Sequence, residues 1–167
     1  MRVSFVLKTS SYNMQPNYRH IAIDPGVSGG IAYFNFSTGK LEAVPMPSTQ
    51  LDAIEILKKL KALNYDRLVI EKIPKFAGKA IPSSTTAVLF ENLGILIGAA
   101  MVLQYRIERP TPQEWQKELG LGTSKGMTKT EWKNKLKARA QELYPGTPLT
   151  LKTADAALLY EFGKRTH

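Results

Sequence analysis

The chain of 167 residues is 43% hydrophobic and carries 23 Lys and Arg against 14 Asp and Glu, a net charge of +9. That length suits one domain with its own apolar core. The charge points to a polyanionic partner, nucleic acid before an acidic membrane, with a merely solvated basic surface as the plainer alternative. Cysteine is absent and the only histidines are His20 and His167, which excludes a disulfide framework, Cys-ligated zinc, a thiol nucleophile and a His-rich metal site; a metal would have to be held by oxygens, as Mg²⁺ or Mn²⁺ are.

The opening segment, Met1 to Arg19, has no acidic residue and several Ser and Arg. It is expected to be a poorly ordered extension, faintly like a transit peptide, with Met14 as an alternative start. It lacks the charged start and continuous apolar stretch of a secretory signal. The folded domain is expected over 20–167. His20–Asp24, Gly30–Phe36 and Leu41–Pro45 are three short strands joined by turns brief enough for antiparallel neighbours. In Leu51–Leu63 the apolar residues fall at helical spacing, with Lys58, Lys59 and Lys61 on the polar face. Leu68–Glu71 is a fourth strand, LVIE.

Lys72–Ser84 reads as a loop with two prolines, a glycine and three lysines. Thr85–Gln104 is a long helix apolar on every side, suited to a dimer interface or to full burial. Its apolar core, Leu93–Leu103, contains two glycines and does not read as a membrane span. Tyr105–Glu108 makes a fifth strand. A short helix runs from Thr111-Pro112 to Leu119, with proline in the first turn, where its missing N–H is harmless. Gly120–Thr128 is a loop. Lys129–Tyr144 is a helix with Thr128 as N-cap and Glu131 completing a capping box. Leu151–Gly163 is the last helix. Three strands, then helix–strand–helix–strand, then helices, predict an α/β fold with a mixed five-stranded sheet flanked by helices.

The stretch IAIDPGVSGGIAYF (Ile21 to Phe34) sets a carboxylate, Asp24, at the carboxyl end of a strand. Beside it lies a loop rich in glycine (Gly26, Gly29, Gly30) that would let a ligand backbone approach. Alone it is equally a hairpin with an acidic turn. Glu71 ends a strand that the intervening helical crossover makes parallel to the first, so both acids leave the same sheet edge. Asp155 falls on the apolar face of the last helix, where an unpaired acid is unfavourable. A helix beginning at Thr153 would instead make it a first-turn acid favoured by the dipole. Clustered carboxylates repel unless a cation neutralises them. A pair of Mg²⁺ ions about 3.5–4 Å apart would do so, one activating water and the other stabilising the leaving oxygen of a phosphodiester.

IAIDPGVSGGIAYF, LVIEKIPKFAGK and LKTADAALLYEFG, in this order and spacing, resemble the RuvC-type Holliday junction resolvases, most closely the compact RuvC-like proteins of bacteriophages and some bacteria. The likeness runs from about His20 to the C-terminus, and DPG and ADA are its most specific parts. It implies an RNase H-like fold, a homodimer, and Mg²⁺-dependent endonuclease activity (Mn²⁺ also serving, two ions per site) that resolves four-way DNA junctions by paired symmetrical nicks. It implies a role in DNA recombination and repair, a cytoplasmic location, nucleoid-associated or in a host cell if phage-encoded, and no small-molecule cofactor. It places the acids on Asp24, Glu71 and Asp155. One departure stands out. Many members carry an Asp or a His three residues before the final Asp, where this chain has Lys152, a residue placed to contact the scissile phosphate or to replace the charge of one metal.

By the same resemblance, the loop after Glu71 reaches into the junction, with Phe76 stacking on bases and Lys72, Lys75 and Lys79 holding phosphates; the alternative for Phe76 is packing on the protein's own surface. Lys129, Lys133 and Lys137 lie one turn apart, with Lys125 in the preceding loop, as a phosphate track or a solvated face. Trp132, Leu136, Ala140 and Leu143 form the buried face of that helix. Three rivals remain. An ATP-binding fold of the actin, Hsp70 and sugar-kinase group would need a second half that this length does not hold. The others are an RNase H-like nuclease for other branched DNA or RNA, and a junction-binding protein with weak or lost catalysis.

Overall fold

The computed structural model describes residues 19–73 and 83–166. Three strands open the chain: β1 (His20–Asp24), β2 (Gly30–Asn35) and β3 (Lys40–Pro45). Helix α1 (Gln50–Ala62) leads to β4 (Arg67–Ile70), and α2 (Ser83–Val102) leads to β5 (Arg106–Glu108). Helices α3 (Pro112–Glu118), α4 (Lys129–Leu143) and α5 (Ala154–Arg165) complete the fold. The strands form one sheet in the order β3-β2-β1-β4-β5. β1 is antiparallel to β2 and parallel to β4, and β5 is parallel to β4. The expected mixed five-stranded sheet is therefore present, and the α1 crossover makes the β1–β4 pair parallel, as crossovers of that length do.

Strand alternation divides the core. Ile21, Ile23, Ile31, Leu68 and Ile70 point to one face, where they pack with Leu57 and Leu60 of α1 and Leu93, Leu96 and Ala100 of α2. Ala22, Ala32 and Val69 point to the other, against the buried side of α5 and the Leu136–Ala140 stripe of α4. Small residues on that second face let α5 lie close to the sheet. A Cβ on Gly163 would stand 2.7 Å from His20 Nε2, and one on Gly30 would stand 2.7 Å from the Val44 carbonyl and 3.1 Å from that of Lys152.

Several boundaries move. β2 ends at Asn35, before Phe36, and Glu71 lies one residue past β4, its N–H donating to the Ile23 carbonyl at 3.0 Å. The last helix begins at Ala154, not Leu151. Residues 150–153 form a hydroxyl-closed turn: the Thr150 N–H donates to Thr153 Oγ1 at 2.9 Å, a local alternative to helical bonding. Leu151 is accordingly exposed rather than part of the apolar face. Both expected helix starts hold, with reciprocal capping boxes at Thr128/Glu131 and at Thr111/Glu114. Helix α2 is neither fully buried nor uniform: Val88, Met101 and Val102 are exposed, and Gly94 and Gly98 face open space. Among the described residues no helix is long and apolar enough to cross a membrane.

Candidate active site

Asp24 is the last residue of β1, and Glu71 follows β4 directly beside it, because Ile23 pairs with Ile70 in parallel register. Alternation sends Asp24 to the face of Ala22 and Glu71 to the face of Val69, which is the α5 face. There Asp155, in the first turn of α5, meets them. It is buried, yet its Oδ1 has no hydrogen-bond partner among the described residues. Both alternatives for Asp155 thus apply, since it is a first-turn acid and also faces the sheet.

The glycine loop seats these acids. Asp24 Oδ1 accepts the Gly26 N–H at 3.2 Å, and the Gly29 N–H donates to the Gly26 carbonyl at 2.8 Å. A Cβ on Gly29 would lie 2.2 Å from the Asp24 carbonyl oxygen and 2.7 Å from its Cγ. The missing side chain at Gly29 therefore leaves room for Asp24 itself, and the one at Gly30 leaves room for the turn before α5. Of the three glycines expected to form a gap for a ligand, only Gly26 borders the cleft without being committed to such a close contact.

The electrostatics record surplus negative charge in poor solvent. Burial raises the Asp24 carboxyl above its ordinary value, the Asp155 charge raises it further, and the Gly26 N–H and Lys133 oppose both. Glu71 is pushed up to about 7, by burial first and then by Asp24. The Trp115 Nε1–H, donating to Glu71 Oε2 at 2.9 Å, restrains that rise. Lys133 answers the charge. Its ammonium donates to Asp155 Oδ2, and although burial disfavours its charged form, attraction by Asp155, Asp24 and Glu71 holds its pKa above the ordinary lysine value.

An open cleft runs past Asp24 and Gly29, and Lys129, Lys133 and Lys152 line it. Lys129, Lys125 and Lys152 are exposed, Lys137 is half-buried one turn beyond Lys133, and Lys72 is exposed beside Glu114. Lys75, Phe76 and Lys79 lie outside the described residues. Lys133, expected on the phosphate track, is drawn into the carboxylate site instead, being only 32% exposed along its side chain. Its place at i, i+3, i+7 with Leu136 and Ala140 is the sequence signal for this. Trp115 was not singled out from the sequence; its signal is that a buried indole N–H needs an acceptor.

The donors fit a hard divalent cation. All are carboxylate oxygens, and the unpaired buried Oδ1 of Asp155 is an acceptor that a cation would satisfy. The fit is incomplete in one respect: among the described residues no three acidic or histidine side chains converge closely enough to hold a metal as they stand.

No protein-family model and no curated protein matches the chain. Among the solved structures that share its fold are two of RuvC. Thermus thermophilus RuvC aligns over 87% of this chain and 95% of its own at 16% identity and a TM-score of 0.54. T. thermophilus RuvC in complex with Holliday junction substrate aligns over 88% and 96% at 15% identity and a TM-score of 0.57. The chain accordingly folds as RuvC does, as an RNase H-like α/β domain.

Proposed function

We propose that the protein is a divalent-metal-dependent endonuclease acting on branched DNA, with the four-way junction as its substrate. The observation that carries this reading is the meeting of Asp24, Glu71 and Asp155, from two strand ends and a helix, beside a lysine-lined cleft in a chain of net charge +9. Asp24 and Glu71, whose proton affinities are perturbed by burial and by neighbouring charge, lie beside a cleft, as groups at functional sites do. The fold that it shares with a junction-bound RuvC supports the choice of substrate.

Asp24 and Asp155 would hold the ion, with Glu71 beside them. A bound Mg²⁺ or Mn²⁺ supplies an acidified water and charge stabilisation at the phosphate. The protein's own groups do the rest. With Glu71 Oε2 engaged by Trp115, Oε1 is the oxygen left to accept a proton. Lys129 and Lys152, exposed on the cleft, neutralise substrate phosphates and bring the strand to Asp24. Among the described residues each chain carries one carboxylate set, so paired symmetrical nicks require a second copy. The exposed apolar stretch of α2, with Val88, Met101 and Val102 around the open Gly94 and Gly98, is the face on which that copy would sit.

One observation favours a second reading. Among the described residues the three acids do not come close enough together to hold a metal as they stand, and Lys133 already neutralises Asp155, as in a protein that binds junctions without cutting them. A single assay separates the two: purified protein with Mg²⁺ or Mn²⁺ on a synthetic four-way junction, products mapped on all four strands. Symmetrical nicks with linear duplex spared, and loss of nicking but not of binding in Asp24→Asn, are expected. Binding without any cut in either metal establishes the second reading, and preferential cutting of flaps or RNA hybrids redirects the substrate.

A further inference from the structure

The charge inside this site is not that of a bare acidic triad. Lys133 reaches in from α4, donates to Asp155 Oδ2, and interacts electrostatically with Asp24 and Glu71 as well. Its side chain is two-thirds covered, unlike a solvated lysine on a helix surface. Asp155 thereby has one oxygen committed to an ammonium and the other, Oδ1, buried without a partner among the described residues. Among the described residues no further acid joins the cluster: the residue one turn before Asp155 is Lys152, which lines the same cleft.

Charge balance then limits what the site can hold. Two divalent ions together with Lys133 bring two more positive charges than three carboxylates can match. One divalent ion and Lys133 balance the three carboxylates. Positive charges crowded at a few ångströms repel strongly wherever solvent screening is weak, and here Asp155 is buried and Asp24 and Glu71 are half-buried. We propose, building on the metal-dependent reading above, that Lys133 takes the place of one cation. Each chain binds a single divalent ion, held by Asp24 and the unpaired Oδ1 of Asp155, and the Lys133 ammonium is the second positive centre of the site. The two-ion stoichiometry expected from the sequence is then reduced to one.

The test is a count of bound Mn²⁺ on the full chain without DNA, by electron paramagnetic resonance of the free ion and by calorimetry. Wild type is expected to bind one ion per chain, and Asp155→Asn to lose it. Lys133→Met is expected to admit a second ion or to bind the first at least ~10-fold more tightly, since an opposing charge is gone. Lys133→Arg retains the charge and is expected to stay at one ion. Two ions per wild-type chain overturn the proposal, and so does a Lys133→Met chain unchanged in both number and affinity. If Lys133→Met fails to fold, the wild-type count decides alone. Junction nicking by a chain that binds two ions refutes the role of Lys133 and leaves the nuclease reading standing. Failure to bind Mn²⁺ at all refutes both.

Discussion

Glu71→Gln is expected to stabilise the metal-free protein at alkaline pH while abolishing nicking. Burial and the neighbouring Asp24 raise the Glu71 carboxyl from an ordinary 4.5 to about 7 in the folded chain. The folded chain therefore keeps this proton over a range in which the unfolded chain has lost it. The stability associated with Glu71 is full below about 4.5 and is lost as pH rises through about 7. Every tenfold difference in proton affinity between the folded and unfolded chains corresponds to about 1.4 kcal/mol, so the penalty above neutrality is about 3 kcal/mol. Glutamine cannot ionise, and its side-chain oxygen can still accept the Trp115 N–H. Urea unfolding of both proteins with EDTA, at pH 4.5, 6 and 8, should give curves that nearly coincide at the lowest pH. At the highest, the variant should lead by about 2–3 kcal/mol. A variant less stable than wild type at pH 8, or a difference independent of pH, would refute the assignment of Glu71 as a buried, charge-crowded acid.

Two further outcomes follow from individual contacts. Trp115→Phe removes the N–H that favours ionised Glu71, and carbon-13 NMR of the metal-free carboxyl should find its titration midpoint raised by about one pH unit, the worth of one charge-assisted hydrogen bond. An unchanged or lowered midpoint would contradict that role. Met101→Glu alters a side chain that is 65% exposed on α2. It should leave the fold within about 0.5 kcal/mol of wild type but abolish the proposed dimer in light scattering; a dimer that persists moves the interface elsewhere.

The fold was legible because its signals are local. β1 was placed residue for residue, since an apolar run ending at Asp-Pro-Gly admits few alternatives. The Thr128/Glu131 capping box fixed the start of α4. The Asp24–Glu71 pairing was also legible, because a thirteen-residue helix between two short strands enforces parallel neighbours. What was not legible depends on contacts between distant segments. Trp115 reaches Glu71 across 44 residues and Lys133 reaches Asp155 across 22. No spacing rule joins α3 to β4 or α4 to the first turn of α5. The start of α5 was misplaced for a different reason: Thr150 and Thr153 satisfy the backbone with hydroxyls, and that competition leaves helical periodicity in the sequence without helix in the chain.

The position of Asp155 is set from the far end of its helix. α5 runs antiparallel to β1, and the two elements match in length: Asp155 to Gly163 rises about 12 Å at helical pitch, and His20 to Asp24 extends about 13 Å. At the end away from the acids, the His20 ring stacks on Tyr160 at 4.2 Å, His20 Nε2 bonds the Tyr160 carbonyl at 2.9 Å, and Arg67 donates to the Gly163 carbonyl at 2.9 Å. The acids lie at the other end, where Asp24 already has Gly29 pressed against it and cannot follow a moving helix. Gly163→Ala would bring a methyl to 2.7 Å from His20 Nε2, and that ring is held by its stacking on Tyr160 and its bond to the Tyr160 carbonyl. Relief to ordinary contact needs about 0.7–1 Å of helix displacement, carried rigidly to Asp155, and misplacement on that scale costs on the order of 100-fold in rate. Nicking and Mn²⁺ affinity should both fall in Gly163→Ala while far-ultraviolet circular dichroism stays native. Nicking at the wild-type rate would mean that the two ends of α5 are mechanically independent.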